Sequence, residues 1–197
     1  MMKKNNTCIL LLLLSTLPLL VTAQSNDWRL VWSDEFNTEG KLSPSVWNYE
    51  QGYARNEEAQ WYQPDNAVCK GGLLVIEARK EQGRRNPLYV RGSNDWRKKR
   101  EFVEYTSSSV TTAGKKEFLY GRFEVRARIP VAKGAWPAIW MLGSNMEWPS
   151  CGEIDLMEYY HIRGIPHILA NAAWGTDKKW TAKWDSRAIP YSHFIKK

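Results

Sequence analysis

The 197-residue chain reads as an all-β sandwich, on three observations. Apolar and charged residues alternate at period two in short runs, turn residues separate the runs, and no run keeps a helical period. The clearest alternation spans residues 121–129, where Phe123, Val125, Ala127 and Ile129 share one parity and Arg122, Glu124, Arg126 and Arg128 the other. That is a strand with one buried and one wet face. Leu74, Ile76 and Ala78 against Glu77 and Arg79 repeat the pattern. Residues 135–142 are apolar almost throughout and predict a strand buried on both faces; residues 168–174 predict a further short apolar strand. Lys70-Gly71-Gly72, Ala113-Gly114-Lys115 and Lys133-Gly134 are the intervening turns, and residues 82–103 the long loop. Without repeats or a Pro/Gly/Ser-rich linker, the chain predicts one domain of sandwich architecture.

Residues 1–23 read as a cleaved export signal rather than part of the fold. Lys3 and Lys4 form a positive start. Residues 9–14 and 17–21, interrupted by Pro18, form an apolar core too short to span a membrane, and Val21-Thr22-Ala23 is a small-residue cleavage site. The expected product is residues 24–197, secreted or periplasmic, without a membrane span. Losing Lys3 and Lys4 takes the formal charge from +7 to +5. Much of the remaining charge sits in Arg84, Arg85, Arg91 and Arg97-Lys98-Lys99-Arg100. Such a cluster reads first as a solvated loop and second as an anion-binding surface, and export argues against nucleic acid. Cys69 and Cys151 read equally as one disulfide or two buried thiols, and no Cys/His spacing suggests zinc. The 11 tryptophans are many for this length, which hints at indoles exposed in a sugar-binding cleft.

The chemistry sits in Gly152-Glu153-Ile154-Asp155-Leu156-Met157-Glu158. Acids in an apolar strand are costly if buried without purpose. On a regular strand Glu153 and Asp155 share a face, and Glu158 faces away because the spacing of five is odd. A β-bulge at Leu156-Met157 would bring all three to one face. Two close carboxyls are what a retaining glycosidase needs, one as nucleophile and one as general acid/base. A third between them would orient the nucleophile and hold a proton. Mutual repulsion raises the pKa of at least one member. A wet edge strand and a calcium site are the competing readings; a strand lacks the tight turn that usually wraps calcium.

Around that cluster, residues 105–108, 121–124, 134–142, Trp148-Pro149 and 152–158 together resemble glycoside hydrolase family 16, in its laminarinase-like (endo-β-1,3-glucanase-like), bulge-containing branch. Residues 30–36 and 56–62 match the same branch in order, so the resemblance runs from about Leu30 to Trp174. It implies a β-jelly-roll sandwich with a concave substrate cleft, and endo-hydrolysis with retention. It implies Glu153 as nucleophile, Asp155 as assisting acid and Glu158 as acid/base. It implies Trp136, Trp140 and Trp148 as cleft tryptophans, with core packing as the alternative for each. It implies Asn56 as a polar subsite residue, which could equally cap a turn. No cofactor is required. A structural calcium occurs in relatives, and no residue here can be assigned to it.

Two departures matter. The laminarinase-like branch carries His-Gly-Thr-Val-His on the strand after the catalytic one; here the run is Leu169-Ala170-Asn171-Ala172-Ala173-Trp174, with Trp174 taken to stand at a cleft histidine. The substrate therefore stays open between a β-1,3-glucan, a mixed-linkage β-1,3/1,4-glucan and a galactose-containing glycan. The resemblance also implies further strands after Lys197, so the jelly roll is expected to be incomplete at its C-terminus. The class alternatives are a non-catalytic carbohydrate-binding module, which has no need of three clustered acids, and an inactive fragment. A monomer is expected.

Overall fold

The structure, a computed structural model, describes residues 28–195, so the predicted export signal lies outside the described residues. The chain divides into two units, Met1–Asp34 and Glu35–Lys197. Of the first, residues 28–34 carry no helix or strand. The second is all-β apart from two short 3-10 turns, Pro64–Asn66 and Tyr191–His193. Its strands are β1 (Asn48–Tyr49), β2 (Gln60–Tyr62), β3 (Ala67–Cys69), β4 (Leu74–Ile76), β5 (Arg79–Lys80), β6 (Tyr105–Ser107), β7 (Val110–Thr111), β8 (Ala138–Leu142), β9 (Glu153–Ile162), β10 (Ile165–Gly175) and β11 (Ala182–Pro190).

The element that positions the site is a four-stranded antiparallel sheet in the order β11-β10-β9-β8. Three smaller sheets accompany it: β2-β6-β5, β1-β7 and the β3-β4 hairpin, which turns on Gly71-Gly72 as predicted. Tyr159, Leu169 and Ala173 bury within the large sheet, and Tyr53, Ala67, Cys69 and Val103 elsewhere. The Tyr159 hydroxyl donates to the Val131 carbonyl at 2.7 Å, so the ring is buried without stranding its polar atom. Both cysteines are thiols, Cys69 buried in β3 and Cys151 half-buried.

Three sequence expectations are corrected. Residues 121–129 join no ladder. Their apolar parity is nevertheless right: Phe123, Val125, Ala127 and Ile129 face Ile139, Leu156 and Met157 across a cavity of about 380 Å³. Period two reports which side meets apolar surface; a strand also needs a neighbour for its N–H and C=O groups, which the pattern does not encode. Residues 135–142 yield a strand only from Ala138, and it is not buried on both faces, since Ala138 and Leu142 are exposed. The reason is its place at the sheet edge. The short strand at 168–174 is the middle of the 11-residue β10, whose ends are tied by β9 and β11 rather than by their own propensity. The loop at 82–103 contains no strand, as expected, only a single bridge between Arg85 and Phe102.

Candidate active site

The predicted bulge is present where parity demanded it. On the β8 side, Ile139 pairs with Met157 and Trp140 with Asp155, so Leu156 has no partner. On the β10 side, Leu169 pairs with Glu158 and Asn171 with Asp155, so two residues of β9 oppose Ala170 alone. One extra residue restores the parity of Glu158 with Glu153 and Asp155. It sends Leu156 and Met157 to the reverse face, where both line the apolar cavity.

The three acids then touch a common set of groups. Asp155 is 4% exposed. The Nδ2 of Asn171, itself buried, donates to Asp155 Oδ2 at 2.9 Å and to Glu158 Oε2 at 2.7 Å. The Asp155 carboxyl is also within hydrogen-bond reach of Glu153. Asp155 therefore links to Glu153 directly and to Glu158 through the Asn171 amide. Asn171 escaped the sequence reading. The only available signal was that a polar residue interrupts the apolar run 168–174.

Each glutamate is also gripped by an indole. Trp148 Nε1 donates to Glu153 Oε2 at 2.7 Å, and Trp136 Nε1 donates to Glu158 Oε1 at 2.8 Å. Partial burial pushes both glutamate pKa values up; their indole donors oppose the shift and the neighbouring Asp155 reinforces it. For Glu158 the Asn171 amide adds a second opposing donor. Titration belongs to the cluster rather than to single residues. Tyr160, two residues past Glu158, meets the Trp136 ring edge-on at 5.9 Å. Burial, then the Glu158 and Asp155 charges, raise its pKa. Tyr160 joins the site as a second residue the sequence did not flag.

Trp148 reaches Glu153 because the turn that follows it packs onto two glycines. A Cβ on Gly143 would lie 2.2 Å from the Cys151 carbonyl oxygen, and one on Gly175 would lie 3.0 Å from Ser150 Oγ. The turn could not approach β8 and β10 so closely over any larger residue.

Trp174 is not a cleft residue. Directly opposed residues of antiparallel strands share a face. Ala173 opposes Glu153 and Asn171 opposes Asp155, with no bulge between them and Gly175, so Trp174 points to the reverse face. Ala173 also opposes Trp184 of β11. The indole on the acid face is therefore Trp184, whose ring lies 6.5 Å from that of Trp148. Reading β10 one position out of register exchanged the two faces.

Trp140 lies on the acid face opposite Asp155, half-buried, with the Arg55 guanidinium 5.2 Å from its ring. Arg55 also pairs with Glu50, so Trp140 is capped by a held cation rather than open for stacking. The loop carrying Arg55 turns sharply, with left-handed backbone at Asn56 and Glu57. Asn56 is exposed there, its amide 3.5 Å from Glu58 Oε1, which fits the turn alternative. No hydrogen bond joins it to the acids among the described residues. The loop is clamped from behind by the basic segment. Arg97 donates to the carbonyls of Tyr53 at 3.1 Å and Ala54 at 2.9 Å, and Arg100 to those of Glu57 at 2.7 Å and Glu58 at 2.6 Å. The predicted solvated loop is thus partly an internal brace.

Among the described residues, no group of three or more His, Cys, Asp or Glu side chains is arranged to hold a metal ion, so no calcium donor set can be named. No helix there is long and apolar enough to cross a membrane.

An all-β sheet presenting a bulged strand of paired, indole-held carboxylates defines the class: the architecture of a sugar-cleaving hydrolase. Comparison with known proteins narrows it. Residues 47–168 match the family model for the XgeA-like catalytic domain of glycoside hydrolase family 16, and the chain belongs to that family. It is 38% identical over 181 residues to the beta-glucanase of Rhodothermus marinus, an alignment covering 80% of this chain and 57% of that enzyme. A solved structure from work on endo-acting O-glycanases of human gut microbiota that initiate mucin breakdown superposes with a TM-score of 0.72 at 37% identity, covering 84% of this chain and 60% of that one. The structure of LamAcat from Zobellia galactanivorans superposes with a TM-score of 0.61 at 32% identity, covering 82% and 66%. The chain thus spans about three fifths of the length of the beta-glucanase and of the O-glycanase chain.

Proposed function

We propose that the chain is the catalytic part of an exported retaining endo-β-glycosidase that hydrolyses β-1,3-glucan or mixed-linkage β-1,3/1,4-glucan. The observation that carries this is the bulge at Leu156-Met157, which sets Glu153, Asp155 and Glu158 on one face, each glutamate held by an indole N–H. Two glutamates that share Asp155 as a neighbour suit the short separation of a double displacement; an inverting pair needs room for a water between its carboxyls.

In the first step the Glu153 carboxylate attacks the anomeric carbon. The bond to the leaving oxygen breaks as Glu158 gives that oxygen its proton, leaving a glycosyl ester on Glu153. In the second step Glu158 takes a proton from water, the water oxygen attacks the same carbon, and the ester bond returns its electrons to Glu153. Both Glu158 oxygens are occupied in the free protein, Oε2 by buried Asn171 and Oε1 by half-exposed Trp136. The bond to Trp136 is the one that yields, so the transferred proton sits on Oε1, toward the cleft. Asp155, within hydrogen-bond reach of Glu153, keeps that carboxylate oriented.

A glucan substrate is supported by the beta-glucanase relative. A galactose-containing glycan is the second reading, supported by the 34% identity to the keratan-sulfate endo-1,4-beta-galactosidase of Sphingobacterium multivorum and by Ala173 opposite Glu153 on a strand where the laminarinase-like branch carries histidines. Export rests on residues 1–23, and N-terminal sequencing of protein recovered outside the cytoplasm, starting at Gln24, would check it. The function is tested by reducing-sugar release from laminarin, mixed-linkage glucan and a galactan, with Glu153→Gln as control. Release that the control abolishes supports the reading and names the substrate. A folded chain that binds glycan and releases nothing would favour a binding module.

A further inference from the structure

Beyond the acids, the Glu153 end of the sheet carries three exposed indoles that the mechanism does not use for proton transfer. Trp184 stands on the acid face of β11, two strands from Glu153 through Ala173, a distance of about 10 Å at ordinary strand spacing. Its ring lies 6.5 Å from that of Trp148, tilted by 48°, so the two form one angled wall. Trp180 sits in the loop joining β10 to β11. It shares with Trp148 a pocket of about 260 Å³, also lined by Met146, Glu147, Pro149 and Lys179. All three rings keep a large fraction exposed: 39% for Trp148, 57% for Trp180 and 51% for Trp184.

Packing does not account for this arrangement. Trp180 has φ +62°, a left-handed backbone that a bulky residue rarely adopts. The loop holds it there with backbone bonds from Thr176 N to Thr181 O at 3.0 Å and from Thr181 N to Lys178 O at 3.1 Å. Strain that exposes an indole instead of burying it points to a ligand surface. The pocket lining carries one cation and one anion, and the cation, Lys179, already lies 5.0 Å from the Trp180 ring centroid.

We infer that Trp148, Trp180 and Trp184 form an outer substrate subsite that stacks pyranose rings of the chain extending from Glu153. The inference rests on the glycosidase reading and adds its length preference. Indole faces take up the C–H faces of a pyranose, and a wall about 10 Å from the nucleophile is placed to hold a sugar beyond the one being cut. Chains long enough to reach this wall are therefore favoured over short ones.

The test measures binding apart from turnover. Glu153→Gln protein is titrated with neutral oligosaccharides of increasing length from laminarin, mixed-linkage glucan and galactan, alone and combined with Trp180→Ala, Trp184→Ala, Trp184→Phe or Trp174→Ala. Trp174 is the control: it is 45% exposed in the same sheet, on the opposite face. Trp180→Ala and Trp184→Ala are each expected to weaken binding of long oligosaccharides about fivefold and leave short ones unchanged, Trp184→Phe to recover most of the loss, and Trp174→Ala to change nothing. Unchanged binding of long chains by both alanine variants, or equal weakening by Trp174→Ala, overturns the subsite. If parent turnover is still abolished by Glu153→Gln in that case, the glycosidase reading stands alone. A parent that neither binds nor cleaves any of the polymers overturns both.

Discussion

Replacing Asn171 by alanine removes a single nitrogen that donates to two carboxylates, at 2.9 Å to Asp155 and 2.7 Å to Glu158. Asn171 and Asp155 are both buried, so water does not readily substitute for the lost donor. A hydrogen bond to a charged group contributes about 1.5–3 kcal/mol. If one such bond's worth of orientation is lost in the transition state, kcat falls on the order of 10- to 150-fold at 1.36 kcal/mol per factor of ten. The amide lies beneath the carboxylates, so KM should move little. Removing a donor that opposes the upward shift of Glu158 also raises its pKa further, moving the basic limb of the pH–rate profile upward. Asn171→Asp moves it further still, by adding a like charge. The assay is kcat and KM against pH on the polymer that the parent cleaves, with circular dichroism melts to confirm folding. A folded Asn171→Ala protein with parental kcat, or one in which only KM rises, would refute the positioning role and with it the shared-amide account of the site.

Trp136→Phe keeps the ring and removes the donor to Glu158, so substrates with poor leaving groups should slow on the order of tenfold while activated aryl glycosides barely change; equal losses on both would assign the indole to sugar stacking alone. Glu153 and Glu158 have folded pKa values above the ordinary 4.5, so the native state binds more protons than the unfolded chain above that pH, and stability falls as pH rises through the folded values. Glu153→Gln and Glu158→Gln should therefore raise Tm at pH 7 and not in acid, and equal or lower Tm at pH 7 would contradict the sign. Arg97→Ala and Arg100→Ala each remove two charged donors from the loop at residues 53–58, and urea midpoints should report losses of about 1–3 kcal/mol. Surface arginines without this bracing role would leave the midpoint unmoved.

The sequence went furthest where a property is local and periodic. The odd spacing of Glu153 and Glu158 required one inserted residue, and Leu156-Met157 is where the ladder carries it. Alternation in 121–129 correctly named the residues that meet the apolar face, without revealing that no strand lies alongside. The short motifs around the acids sufficed to place the chain in its family.

What the tertiary structure alone decided are relations between strands. Whether Ala173 or Trp174 stands opposite Glu153 depends on a register set by the β9–β10 hairpin, and one step exchanges the two faces. That step put Trp184 rather than Trp174 on the acid face and brought Asn171 beside the acids. Likewise, Arg97 and Arg100 read as surface charge because the carbonyls they hold are more than forty residues away in the chain. Parity along one strand is written in that strand's own residues. Which strand lies beside it, and in what register, is a property of the whole packed chain.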